Sequence, residues 1–243
     1  MAVAMLYDAE IVVGTYDLSG DHNSIKVETT TDALDCTVMG AVNRTYCQGI
    51  RSMKANGSGF VQFDDSTTPK AVDFNLSTAL TAGILPVSIA HSSADGATAY
   101  LGQMVAADYM KDINVTELGK FDFSMECANR YTRGFTVLPL QSRVASVTAS
   151  TIYQLGALSS SQRLLANLHV TAFTGTSLVV TVQRNDTNNT TTPATAITFT
   201  TATGVTSEAK ELAGPITDTY FYVTTTFTGT SYSAFVTFGI APR

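Results

Sequence analysis

Asp17-Leu-Ser-Gly-Asp-His-Asn-Ser-Ile-Lys-Val-Glu-Thr-Thr-Thr-Asp-Ala-Leu-Asp-Cys-Thr-Val-Met-Gly40, a polar loop carrying Asn43, Arg44 and Tyr46, and then Gly49-Ile-Arg-Ser-Met-Lys-Ala-Asn-Gly-Ser-Gly-Phe60 make up the stretch whose reading decides the fold. Apolar and polar residues alternate on both sides of the loop. Ile25 and Val27 fall on one side with Lys26 and Glu28 on the other, and Met53 and Ala55 oppose Lys54 and Asn56. Successive side chains of a strand point to opposite faces, so this period of two predicts two long half-buried strands joined by a long excursion. Connections of that length are uncommon inside compact domains and carry either an interaction or disorder. This one is read as an interaction element.

Upstream, the β-branched run at 9–14 predicts a first strand. Downstream, Ser66-Thr67-Thr68-Pro69 offers N-cap residues and a proline at the first helical position. Val72, Leu76, Ala79 and Leu80 follow at helical spacing, and Gly83 is placed to end a helix over about 68–82. A strand over 84–90, a turn at Asp95-Gly96, and strands over 100–109 and 113–126 complete this part, the last with Phe121, Phe123 and Met125 opposite Asp122, Ser124 and Glu126. The first part is therefore expected to be a β-sandwich or half-barrel with one α-helix.

The texture changes near residue 145. Residues 1–149 carry ten Lys and Arg against sixteen Asp and Glu, whereas residues 150–243 carry four of each, and every methionine and cysteine lies in the first part. That shift predicts two domains, 1–144 and 145–243. The second reads as an all-β sandwich: Thr-, Val- and aromatic-rich runs at 164–173, 178–184, 196–201, 220–227 and 232–240 are separated by turn-forming residues. Phe173-Thr174-Gly175-Thr176-Ser177 recurs as Phe227-Thr228-Gly229-Thr230-Ser231, and each copy is expected to be a hairpin turn.

Composition narrows the function. The 243 residues are 44% hydrophobic and 14% charged, with a net charge of −6, which fits a folded protein and argues against one that neutralises phosphates. No apolar run approaches the roughly 20 residues needed to span a bilayer and no export signal is recognisable, so a soluble, non-membrane protein is expected. Cys36, Cys47 and Cys127 lack C-x-x-C spacing and are read as packing residues rather than a disulfide set or metal site.

His22, His91 and His169 stand apart from one another and from any metal-ligand spacing, and His169, inside an apolar strand, is read as a core residue with its ring satisfied. No G-x-S-x-G or P-loop is present. Gly57-Ser58-Gly59 reads as a bulge or a close backbone approach, and the acidic pairs Asp64-Asp65 and Asp32/Asp35 read as turn caps. Catalysis, a cofactor and a metal are therefore not expected.

The order and spacing of Asp17-x-Ser19-Gly20, of Leu34-Asp35 with Thr37 and Gly40, of the arginine-bearing loop, and of Gly49-Ile50 leading to Gly57-Ser58-Gly59-Phe60 resemble the major tail tube proteins of long-tailed, siphovirus-like bacteriophages. The resemblance continues to about residue 140, where Arg133-Gly134-Phe135-Thr136-Val137-Leu138 is similar to the closing strand of that fold. It implies a structural virion protein of the tail, made in the host bacterial cytoplasm. Such subunits form six-membered rings stacked into a tube, with other tail proteins as partners, and double-stranded DNA passes through without specific binding.

In that arrangement one sheet of each subunit lines the lumen and the long loop reaches the next ring. The lumen candidates are Glu28, Asp122 and Glu126, with Lys26 and Lys54 pairing nearby carboxylates, and the inter-ring candidates are Arg44, Tyr46 and Arg51. An acidic lumen would repel the DNA backbone, although modest acidity also serves solubility. The C-terminal sandwich would face outward, where weak contact with surface glycans is one option and an inert decoration another. Other readings are a different repeating virion part, such as a head decoration or tail terminator protein, or a carbohydrate-binding module.

Overall fold

The computed structural model describes residues 8–20, 22–39, 42–61, 72–114 and 116–242. In chain order the elements are β1 (Glu10–Val13), β2 (Tyr16–Asp17), β3 (His22–Asp35), β4 (Tyr46–Phe60), α1 (Val72–Thr81), β5 (Ile84–Ala90), β6 (Thr98–Asp112), β7 (Lys120–Arg143), β8 (Tyr153–Gln154), β9 (Gln162–Asn185), β10 (Ala194–Thr198), β11 (Thr206–Ala213) and β12 (Tyr220–Pro242). The described residues are mainly β with one helix, as expected, and the strands form an open antiparallel sheet ordered β10-β9-β12-β7-β6-β5-β1-β2. Strands β3 and β4 branch from it, because the first half of β7 pairs with β4 and the second half with β12.

Two large apolar cores and two small clusters follow from this path among the described residues. One gathers Ile11, Leu18, Met53, Ala55, Phe121, Phe123 and Met125 beneath α1, which contributes Val72, Leu76 and Ala79. Leu80, assigned to the same stripe by spacing, is instead 39% exposed. Gly83 ends the helix at φ 75°, and the capping residues expected at 66–69 lie outside the described residues. Tyr109 and Lys111 of β6 both reach Asp73 in the first helical turn, at 2.7 and 2.9 Å, and fix the helix on the sheet.

The second core lies within the β9–β12 ladder and takes Leu164, Leu168, Val180, Val182, Phe221, Val223, Val236 and Phe238. Here the expected hairpins do not form. β9 runs unbroken through Phe173-Thr174-Gly175-Thr176-Ser177, and β12 runs unbroken through Phe227-Thr228-Gly229-Thr230-Ser231. The two copies face each other, Gly175 opposite Gly229, with irregular register on either side. A Cβ on Gly175 would meet the Thr228 carbonyl oxygen at 2.7 Å, and one on Gly229 would meet the Gly175 Cα at 2.3 Å. The repeat is thus a corner where two backbones approach too closely for any side chain. Residues on both sides of the corner pack into one core, so a single bent ladder supplies both walls.

The halves meet through a buried polar cluster. The His169 ring is neutral: Nδ1–H donates to the Gly14 carbonyl (2.7 Å), and Nε2 accepts from the Ser88 hydroxyl (2.9 Å). Ser88 in turn accepts from the Thr237 hydroxyl (2.8 Å), and the Asn167 amide donates to the carbonyls of Val87 and Gly102. The expected satisfied core histidine is therefore present, and it joins β5, β9 and β12. The expected boundary at 144 falls directly after β7, whose final residues pair with β12 from Phe135↔Phe238 to Arg143↔Tyr232, with register shifts around Val236.

Two outcomes are expected. Gly175→Val should lower stability by about 1–3 kcal/mol, the usual range for overpacking, while Thr176→Ala on the exposed side of the same corner changes it by less than about 0.5 kcal/mol. Chemical denaturation of both variants checks this.

Burial holds the His169 pKa down at about 4, below its ordinary 6.5. The unfolded chain then binds the extra proton as pH falls from 6.5 to 4, so the stability present above pH 6.5 drains away across that window, by about 3 kcal/mol at the limit. Glu10, raised by burial to about 7, works in the opposite direction, its contribution being lost as pH rises. The difference between the wild-type and His169→Gln stability–pH curves isolates the histidine: relative to the variant, the wild type should lose stability as pH falls from 6.5 to 4.

Candidate functional site

The ladders β3–β4 and β4–β7 put all five lumen candidates on one face. Glu28 pairs with Lys54 and Lys54 with Glu126, forming one row across three strands; Lys26 lies beside Asn56, and Asp122 beside Ser58. The alternation read from the sequence is what places them there. Met53, Ala55, Phe121, Phe123 and Met125 are buried on the opposite face, against the helix-covered core. Gly57 serves this packing, because a Cβ there would sit 2.2 Å from the Phe123 ring, so the close approach expected of Gly57-Ser58-Gly59 is observed.

Asp108 of β6, opposite Ser124, adds a carboxylate that spacing alone did not bring to this face. The face thus carries Glu28, Asp108, Asp122 and Glu126 against Lys26 and Lys54. Lys26 pairs with Glu28, and Lys54 Nζ lies 3.6 Å from Glu126 Oε1. The hydrogen bond and charge of Lys26 hold the Glu28 carboxyl below its ordinary value. The surface is polar, shallow and net negative, and it presents neither a nucleophile with a base nor a convergent metal set; among the described residues no group of three or more His, Cys, Asp or Glu could hold a metal ion.

Beyond Met53 the β3–β4 pair leaves the sheet and continues as a two-stranded arm exposed on both sides. At its tip, Val38 is 74%, Met39 99% and Val42 97% exposed, with Ile50 at 78% farther back. Arg44 lies in the tip loop and Tyr46 opens β4, both exposed. Arg51 is elsewhere: opposite Thr31 at the base of the arm, on the wall of a recess shared with Arg130 and Arg133. The structure therefore brings Arg44 and Tyr46 together near the tip and separates Arg51 from them.

One cysteine expectation is overturned. Cys36 and Cys47 are joined by a disulfide across the arm, and only Cys127, packed against the first core, is a free thiol among the described residues. The pairing follows from the arm's register: Leu34 faces Cys47, and Cys36 N–H donates to the Thr45 carbonyl at 2.8 Å, which sets the two Cα atoms 5.9 Å apart. Cysteine spacing does not reveal this, because the register of the arm decides it. The apolar tip was equally hidden, since Val38, Met39 and Val42 break the alternation and look like ordinary loop residues.

His22 donates from Nδ1 to the Leu18 carbonyl (2.6 Å) and stands edge-on to Phe121 and Phe123. Burial holds its pKa down. It is a packing residue of the strand. The His91 ring donates from Nδ1 to the Thr98 carbonyl (3.0 Å) on the surface, and Asp64-Asp65 lie outside the described residues. No described helix is long and apolar enough to cross a membrane.

Because the face charges are solvent-exposed, removing the pair Lys54–Glu126 as Lys54→Ala/Glu126→Ala should alter stability by less than about 1 kcal/mol. A thermal melt checks it, and agreement means that charge changes on this face can be read for their effect on contacts rather than on folding.

No family model matches the sequence, and no curated protein does either. Three solved structures are similar in outline. A chain of the virion of a native gene transfer agent particle is 13% identical, covers 54% of this chain and 98% of its own, and has a TM-score of 0.44. A chain of the SPP1 tail tube, from solid-state NMR and cryo-electron microscopy, is 8% identical over 54% of this chain and 78% of its own, with a TM-score of 0.43. The SPP1 Dit protein, titled a hub adsorption apparatus of phages that infect Gram-positive hosts, is 10% identical over 96% of this chain and 99% of its own, with a TM-score of 0.39. Scores at this level do not bear on function.

Proposed function

We propose that this chain is a structural subunit of a phage tail that closes into rings, six-membered by the sequence resemblance, stacked as a tube through which double-stranded DNA passes without specific binding. The observation that carries the reading is the open edge of β3. It is a 14-residue strand paired on one side with β4 and with no strand on its other side among the described residues. A long flat edge is a template for further pairing, and closure with copies of the same sheet is one of the few ways to satisfy it without uncontrolled aggregation.

In the ring, Glu28, Asp122 and Glu126, with Lys26 and Lys54, would line the lumen, and the net negative face would keep the DNA backbone from adhering. The arm, with Arg44 and Tyr46 beside its apolar tip, would reach the neighbouring ring. Residues 145–243 would form the outer layer, whose glycan contacts, if any, are weak. Support comes from the residue pattern that resembles tail tube proteins, from the gathering of the charged candidates on one sheet face, and from an exposed apolar tip of a kind soluble monomers rarely display unpartnered.

Negative-stain electron microscopy with light scattering across a concentration series tests the reading. Rings or tubes with a central hole are expected, and a monomer at every concentration would sink it. Arg44→Glu is expected to shorten or abolish stacks while leaving the fold intact; unchanged tubes would remove Arg44 from the inter-ring contact.

A further inference from the structure

A recess of about 930 Å³ opens between the base of the arm, the segment 129–133 of β7 and the end of β12. Its walls carry Arg51, Arg130 and Arg133 with Tyr100 and Tyr131, and none of the residues that line it is acidic. This is notable in a chain of net charge −6. Arg130 is held from outside the recess by Glu211, which also pairs with Arg163. Partial burial pushes the Glu211 carboxyl up, but the hydrogen bonds and charges of the two arginines outweigh it and leave it below its ordinary value. Arg51 reaches only the amide oxygen of Gln48, in the orientation that satisfies both groups, and Arg133 reaches the Thr98 hydroxyl at 3.4 Å. Neither forms an ion pair among the described residues.

The complementary surface lies at the other end of the same hairpin. The loop that joins β6 to β7 presents two carboxylates, Asp112 and Glu117, and two exposed apolar side chains, Ile113 at 59% and Leu118 at 73%. Lys111 beside it is already paired with Asp73, and Lys120 stands at its base. In the β6–β7 register Asp112 faces Lys120 at one end and Tyr100 faces Arg133 at the other. Twelve residues of strand separate these ends along β6, roughly 40 Å at the usual rise per residue. The loop therefore cannot reach the recess of its own chain.

We infer that the β6–β7 loop of one copy seats in the arginine recess of the next, with Asp112 and Glu117 against the guanidinium groups and Ile113 and Leu118 against Tyr100 and Tyr131. The inference rests on the tube reading and says which ends of the subunit stack. Complementary patches at opposite ends make a heterologous, head-to-tail contact, which propagates along one axis. The volume is that of a site for a short segment rather than a single ion.

A charge swap tests it on the full chain. Arg51→Glu/Arg133→Glu and, separately, Asp112→Lys/Glu117→Lys should each raise the concentration needed for half-assembly by about tenfold or more, close charge pairs across an interface being among its stronger contacts. The combined four-substitution variant should recover assembly, which also guards against a variant that merely misfolds. Raised salt should weaken wild-type stacking. Assembly at the wild-type concentration in both reversal variants, or no recovery in a folded four-substitution variant, would overturn the contact and leave the tube reading standing. A wild type that never self-associates would overturn both.

Discussion

Strand β7 is the constraint on which the rest of the molecule depends. Its 24 residues lie beside β6 for most of their length, yet on the other side they change partner midway, from β4 to β12. The change is made at a register irregularity near Cys127 and Tyr131, and a bulge at such a point bends the strand and re-aims its side chains. Before the bend, Phe121, Phe123 and Met125 feed the helix-covered core; after it, Val137 and Leu138 feed the other core. The polar sheet face, the arm and the β9–β12 ladder are all placed by this one strand.

Much of the first half was legible because period two is a direct record of a half-buried strand. Lys26, Glu28, Lys54, Asp122 and Glu126 could be assigned to one face before any coordinates, since each alternates with residues that must be buried. The arm was legible only as a long excursion. Its length, its disulfide and its apolar tip depend on cross-strand register, which a linear pattern does not encode once both faces are wet. Arg130 and Arg133 were hidden for a related reason, since they gain meaning only when the arm base and the end of β12 close around them.

The second half misled at its clearest signal. Gly within a Thr-rich pentapeptide is what a turn looks like, and two identical copies look like two turns. The same glycine answers a different need, the closest approach of two backbones, and only tertiary pairing tells these apart. The repeat therefore marks a place where each copy requires the other: Gly175 is indispensable because Gly229 lies across from it. The charge and methionine shift near 145 is a property of composition, and the β7–β12 ladder and the His169 cluster join residues from both sides of it.

The pairing of β12 with β7 also orders events in time. Thr132 donates its hydroxyl to the carbonyl of Ile240, 108 residues further along, and Gly134 lies so close to Phe238 and Gly239 that no side chain fits between them. While the chain is being translated, the far half of β7 has one neighbour and an unsatisfied flank until residues 232–242 emerge from the ribosome. Contacts of such long sequence separation are slow to form and leave strand edges exposed in the interval. Strand β12 thus completes the pairing of a strand made about a hundred residues earlier, so the sheet of a nascent chain stays unfinished until β12 has been synthesised.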